Sequence, residues 1–160
     1  MPTFEFETVD VFTSQRFGGN PLAVFPEASG LTDLQMQQLA TEFNLSETTF
    51  VLPPADPANS ARVRIFNRSH EMPFAGHPMV GTACVLAGRS AERHARFQFE
   101  VPAGRVTVRL SYDGDAVQGA EIDAPRPLTT GVALAAADIA ACVGLAADDV
   151  RVSSHPPLLA

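Results

Sequence analysis

The sequence predicts an α+β fold: several short strands, one amphipathic helix and one central helix buried on every side. Three observations predict it. Short segments with period-two alternation or continuous apolar character recur between turn residues, as strands do. Leu34, Met36, Leu39, Ala40 and Phe43 recur at helical spacing. The run from Met79 to Ala87 has almost no polar side, so its helix is expected to be enclosed by other elements.

Phe4-Glu5-Phe6-Glu7-Thr8-Val9-Asp10-Val11 alternates and opens the chain as a strand. Phe17-Gly18-Gly19-Asn20-Pro21 is a turn, and Leu22 to Phe25 a short second strand. Thr32 is the expected N-cap of the amphipathic helix, and Asn44 its stop. Thr48 to Leu52 is a strand ended by Pro53-Pro54. Arg62 to Asn67 is another, with Val63 and Ile65 on one face and Arg62, Arg64 and Phe66 on the other. The central helix ends near Gly88. Strands follow at about His94 to Val101, Arg105 to Leu110 and Val117 to Ile122, joined by turns at Ala103-Gly104 and Asp113-Gly114. Residues 1–124 thus form a first unit. Residues 125–131 read as a linker, and 132–160 as the start of a second unit, with a helix at Ala135 to Cys142 and a strand from Val150 to Ser153. So short a tail cannot build its own core. The chain is therefore expected to be part of something longer or to pair with a partner; the other reading is that the tail packs on the first unit.

With 46% hydrophobic residues in 160, the chain can bury a core, and disorder is not expected. Lys+Arg 11 against Asp+Glu 18 leaves −7, which argues against nucleic acid and anionic membranes as partners. Met1 to Asp10 lacks the basic and apolar blocks of an export signal, and no apolar run approaches a membrane span. Cys84 and Cys142 read as buried free thiols without metal spacing. A cytoplasmic protein is expected.

The chemistry concentrates in two short segments. Gly76-His77-Pro78 opens the central helix, and proline suits a first helical turn. Backbone N–H groups at that turn, beside an imidazole, make a seat for a carboxylate or oxyanion. The helix N-terminus is expected to keep His77 neutral, and Gly76 lets a ligand approach the backbone. Glu47 lies between Leu45 and Phe50-Val51-Leu52. A carboxyl at the rim of an apolar pocket can take a proton and return it near neutrality. Asn20, at the glycine turn, offers an amide for a ligand carboxylate or carbonyl. There is no G-x-S-x-G elbow, no H-E-x-x-H pair, and no Walker or dinucleotide glycine pattern. His94 and His155 read as isolated surface or loop residues.

Three blocks, VDVFTSQRFGGNPLAVF, MQQLATEFNLSETTFV and RIFNRSHEMPFAGHPMVGTACVL, carry a resemblance in order and spacing to the PhzF-like family of phenazine biosynthesis. The resemblance implies a diaminopimelate-epimerase-like lobe: a curved, mostly antiparallel sheet wrapped around the central helix, with the active site between two such lobes. It implies Glu47 as the catalytic acid/base, with Gly76, His77, Ser46 and Asn20 contacting substrate. It also implies a homodimer without cofactor or metal. The activity implied is isomerisation of a small anionic metabolite by moving a proton along an unsaturated acid. An epimerase or racemase of the same fold, or a non-catalytic binding protein that keeps it, are the alternatives. Two departures stand out. Cys84 lies two turns inside its helix, where two-thiol epimerases of this fold carry a cysteine at the helix mouth. The family's second lobe also supplies further site residues, an aspartate among them, beyond the end of this sequence.

Overall fold

The computed structural model describes residues 2–127 and 131–153. It divides into two compact units, Met1–Arg126 and Pro127–Ala160. The first contains β1 (Glu7–Val11), β2 (Asn20–Phe25), α1 (Asp33–Phe43), β3 (Glu47–Leu52), β4 (Ala61–Phe66), β5 (Glu71–Met72), α2 (Gly76–Arg89), β6 (Arg96–Val101), β7 (Gly104–Asp113) and β8 (Ala116–Ile122).

These strands form one sheet in the order β1-β2-β3-β4-β6-β7-β8, with β5 paired to β4. Most neighbours are antiparallel. The two parallel joints, β2 with β3 and β4 with β6, fall where a helix carries the chain across the sheet, as parallel pairing requires. The crossover through α1 covers the outer face, and the crossover through α2 the inner one. Both edge strands, β1 and β8, touch α2, so the sheet curls around that helix.

Each face has its own core. Val11, Leu22, Val24, Val63, Ile65, Met79, Ala83, Phe99, Val106 and Val108 fill the inner one. Phe25, Met36, Ala40, Phe50 and Phe66 fill the outer one. The middle strands are covered on both faces and read as continuous buried runs, such as Leu22 to Phe25 and Thr48 to Val51. In β6 burial alternates, as in a strand covered on one face.

The α1 boundaries follow from its caps. The Thr32 hydroxyl accepts from Gln35 N–H while the Gln35 side chain accepts from Thr32 N–H, a capping box. Asn44 closes the helix at φ 53°, a left-handed conformation that Asn tolerates.

Several expectations are corrected. Strand β1 begins at Glu7, paired with Val24 of β2. Phe6 instead packs its ring against Phe25 and Phe43. Leu34 belongs to no buried stripe and is exposed, because it follows the first helical residue and faces solvent beside Asp33. Helix α2 runs from Gly76 to Arg89 and is not enclosed all round: Val80 and Cys84 are half-buried, and they line a groove with Val117 to Ala120 of β8. Cys142 is exposed and Cys84 half-buried; both are free. His94 is half-buried, donating to or accepting from Ser90 and resting on the Phe97 ring.

The second unit, taken by itself, has helix α3 (Ala136–Val143), closed by Gly144 in the left-handed conformation, and a 3-10 turn at Ala147–Asp149. Val150 to Ser153 forms no strand. Val132, Val143, Leu145 and Val152 are exposed, as expected of a piece too small to bury its apolar groups. Of the expected linker 125–131, residues 128–130 lie outside the described residues, as does His155.

Candidate active site

The site lies at the mouth of the curled sheet, where α2 begins. Three segments meet there. The first is the start of β2. Asn20 pairs with Val11, and Gly19 before it presses on β1: a Cβ at Gly19 would sit 2.4 Å from the Val11 carbonyl oxygen. Only glycine lets the chain approach so closely. The second is the start of β3, which places Glu47 opposite Leu22 just after Asn44 turns the chain out of α1. The third is the first turn of α2, with Gly76 and His77.

The Glu47 Oε2 and His77 Nε2 atoms are 3.4 Å apart, on side chains 16% and 9% exposed. Both atoms are buried, and neither has a hydrogen-bond partner. Native interiors rarely leave polar atoms so. Burial holds the His77 imidazole below its ordinary pKa of 6.5, outweighing the upward pull of Glu47 and of the Pro21 carbonyl. The ring in this contact is therefore the neutral partner, and the contact is not an ion pair. The neutral state matches the expectation, but desolvation is the leading cause, ahead of any effect of the helix terminus.

On its other side His77 Nδ1 is 3.2 Å from Asn20 Nδ2. Ser46 Oγ donates to Asn20 Oδ1 at 2.9 Å. The structure thus gathers Asn20, Ser46, Glu47, Gly76 and His77 in one place. Asn20 and Ser46, both expected to contact substrate, are here bonded to each other. The N-cap of α2 is Ala75, whose side chain caps nothing, and no acidic residue lies in its first turn. The N–H groups of Gly76 and His77 thus meet no capping side chain.

Cys84 lies well inside α2, and burial pushes its thiol up, so it is no thiolate base at the helix mouth. Among the described residues no cluster of His, Cys, Asp or Glu has the makings of a metal site, and no helix is long and apolar enough to cross a membrane. A cavity of about 790 Å³ lined by Thr8, Asp10, Thr13, Arg16, Phe17 and Leu45 lies on the outer side of β1 and β2 and contains none of the site residues.

A curled sheet around a buried helix, with a carboxyl and an imidazole at the helix mouth, defines an epimerase-type lobe. The chain aligns over 98% of its length with 55% of a predicted epimerase of Pseudomonas aeruginosa, at TM-score 0.82 and 32% identity. It aligns over 96% with 51% of a PhzF-family phenazine biosynthesis protein of Bacillus anthracis, at 0.75 and 28%. The fold is shared more distantly with a hydroxyproline epimerase of Agrobacterium vitis, at TM-score 0.53 and 12% identity. This is the diaminopimelate-epimerase-like architecture expected from the sequence. Residues 9–158 match the family described as phenazine biosynthesis-like protein, and the chain belongs to that PhzC-PhzF family. It is 44% identical, over 97% of its length and 52% of the relative's, to an uncharacterised isomerase of Mesorhizobium japonicum. It is 42% identical, over 78% and 44%, to the trans-2,3-dihydro-3-hydroxyanthranilate isomerase of Pseudomonas chlororaphis. The chain spans about half the length of the curated relatives it matches.

Proposed function

We propose that this chain supplies one wall of a cofactor-independent isomerase acting on a small, carboxylate-bearing, unsaturated metabolite. The observation that carries this is the buried Glu47–His77 pair, whose facing atoms have no other partner. In this reading Glu47 abstracts a proton from a carbon next to an unsaturated or carbonyl system and returns it elsewhere. His77, neutral, lends an N–H to the developing negative charge without adding a full charge of its own. The uncapped N–H groups of Gly76 and His77 seat the substrate's acid group. A facing wall, a homodimer and a cytoplasmic setting complete the proposal.

The test is Glu47→Gln, assayed with small unsaturated carboxylates in deuterated solvent. Trans-2,3-dihydro-3-hydroxyanthranilate, the compound named for the Pseudomonas chlororaphis relative, is the first to try. The variant should lose turnover and solvent-deuterium incorporation while still binding ligand. Full activity in Glu47→Gln would overturn the assignment. An epimerase is the second reading, supported by the fold shared with the epimerase structures. Inversion of a stereocentre with deuterium at the same carbon would favour it over transfer to a new carbon.

A further inference from the structure

We infer that Asn20, held by Ser46, is a positioning residue that sets the tautomer of His77, placing the ring proton on Nε2 where it faces Glu47. The inference rests on the proposed role of Glu47 and His77 only for its consequence; its geometry stands apart from any turnover.

The chain of atoms runs Ser46 Oγ, Asn20 Oδ1, Asn20 Nδ2, His77 Nδ1, His77 Nε2, Glu47 Oε2. Ser46 donates to Oδ1 over 2.9 Å, and Nδ2 of the same amide meets His77 Nδ1 at 3.2 Å. An amide N–H can only donate, so Nδ1 must accept. A neutral imidazole that accepts at one nitrogen carries its proton on the other. That nitrogen is Nε2, 3.4 Å from Glu47 Oε2.

The far end of the chain favours the same state. A carboxylate oxygen only accepts. With the proton on Nδ1, the Nε2 lone pair would face the Oε2 lone pairs in a place sheltered from water, where unpaired acceptors are costly. The Pro21 backbone carbonyl competes only by drawing the His77 pKa upward, a pull that burial outweighs. A proton on Nδ1 would defeat both Asn20 and Glu47. The Asn20 amide is thus the group that keeps Nδ1 an acceptor. The arrangement leaves one N–H, on Nε2, held in the cleft beside the carboxylate. It can donate to a substrate oxygen while Glu47 works on the adjacent carbon.

The test is a long-range proton–nitrogen correlation spectrum of the full, ¹⁵N-labelled chain at neutral pH. His77 is identified as the ring system missing from the His77→Gln spectrum. The wild type should show a protonated Nε2 and an unprotonated Nδ1; the reverse pattern, or an even mixture, overturns the proposal. Asn20→Asp presents only acceptors to Nδ1 and should move the proton there. A pattern unmoved by Asn20→Asp removes Asn20 from the role. Ser46→Ala frees the amide and should blur the pattern towards a mixture; an unmoved pattern removes Ser46. If Asn20→Asp fails to fold, the wild-type and Ser46→Ala spectra still decide. None of these readings requires substrate, so an active Glu47→Gln enzyme would sink the proposed function and leave this result intact.

Discussion

Glu47 and His77, from different elements of the first unit, meet at 3.4 Å with their facing atoms buried and otherwise unpartnered. A stable fold gains nothing from two such atoms, since each has left water without a hydrogen bond in return. In the proposed function their juxtaposition is readiness for a third group, which the N–H groups of α2 would suit if it is anionic.

His77 predicts a pH dependence with a definite sign. Its folded pKa lies below 6.5 because burial disfavours the charged ring. The folded state therefore binds fewer protons than the unfolded one in that region. Stability is full above about pH 6.5, the unfolded value for His, and declines as pH falls towards and through the lowered folded pKa. His77→Gln should flatten that acid-side slope in denaturant titrations run between neutral and mildly acidic pH. An unchanged slope would show that the ring titrates normally.

Two glycines of α2 should behave oppositely. A Cβ at Gly81 would lie 2.6 Å from Leu22 Cδ2 and 2.8 Å from Val11 Cγ2. Overpacking of this kind costs about 1–3 kcal/mol, while alanine returns about 1 kcal/mol of helix propensity. Gly81→Ala should lose about 1 kcal/mol in urea unfolding. At Gly76 the nearest atom to a Cβ is Ile122 Cδ1 at 3.5 Å, an ordinary contact. Gly76→Ala should fold as well as the wild type yet bind anionic ligands more weakly, which calorimetry can check.

Arg64 on β4 ties three elements together on the outer face. Its guanidinium holds Glu71 of β5 through Nε and Nη2, and Asp33 at the first residue of α1 through the third nitrogen, Nη1. The pair with Glu71 raises the Arg64 pKa, and Arg64 in turn lowers that of Asp33. Removing one member of a buried ion pair strands the other, at a cost of roughly 3 kcal/mol. Arg64→Ala should show that loss in chemical unfolding. Asp33→Asn, at an exposed carboxylate, should cost far less.

Thr49 on β3 and Thr82 on α2 share a hydrogen bond of 2.9 Å inside the inner core. Thr82→Val leaves Thr49 short of that partner and should cost about 1–2 kcal/mol. The double variant Thr49→Val with Thr82→Val removes both polar groups and should recover most of it. A double-mutant cycle in which the two losses simply add would rule out the coupling.

Much of the fold was legible in local patterns. The Thr32 cap, the Asn44 stop and the turns at Gly104 and Gly114 follow from backbone chemistry a few residues long. Strands with clear alternation were found to within a few residues. Strand β5, only two residues long, carries no periodicity to detect and exists because β4 offers it an edge. Arg64 reads as an outward charge by alternation. Only the packing of α1 on that face, with β5 beside it, makes it a buried hub. Alternation at the first strand runs on past the ladder into Phe6, whose ring packs against Phe25 and Phe43 instead.

The sequence by itself determined which residue types were on offer at the site: a carboxyl among apolar neighbours, an imidazole at a helix start, and an amide at a glycine turn. Their grouping was decided by tertiary structure. Asn20 and His77 lie 57 residues apart in sequence, and no local preference aims one at the other. The curl of the sheet around α2 brings the starts of β2, β3 and α2 to one mouth. Burial at that mouth, a property no short segment has alone, is what keeps His77 neutral and leaves it facing Glu47.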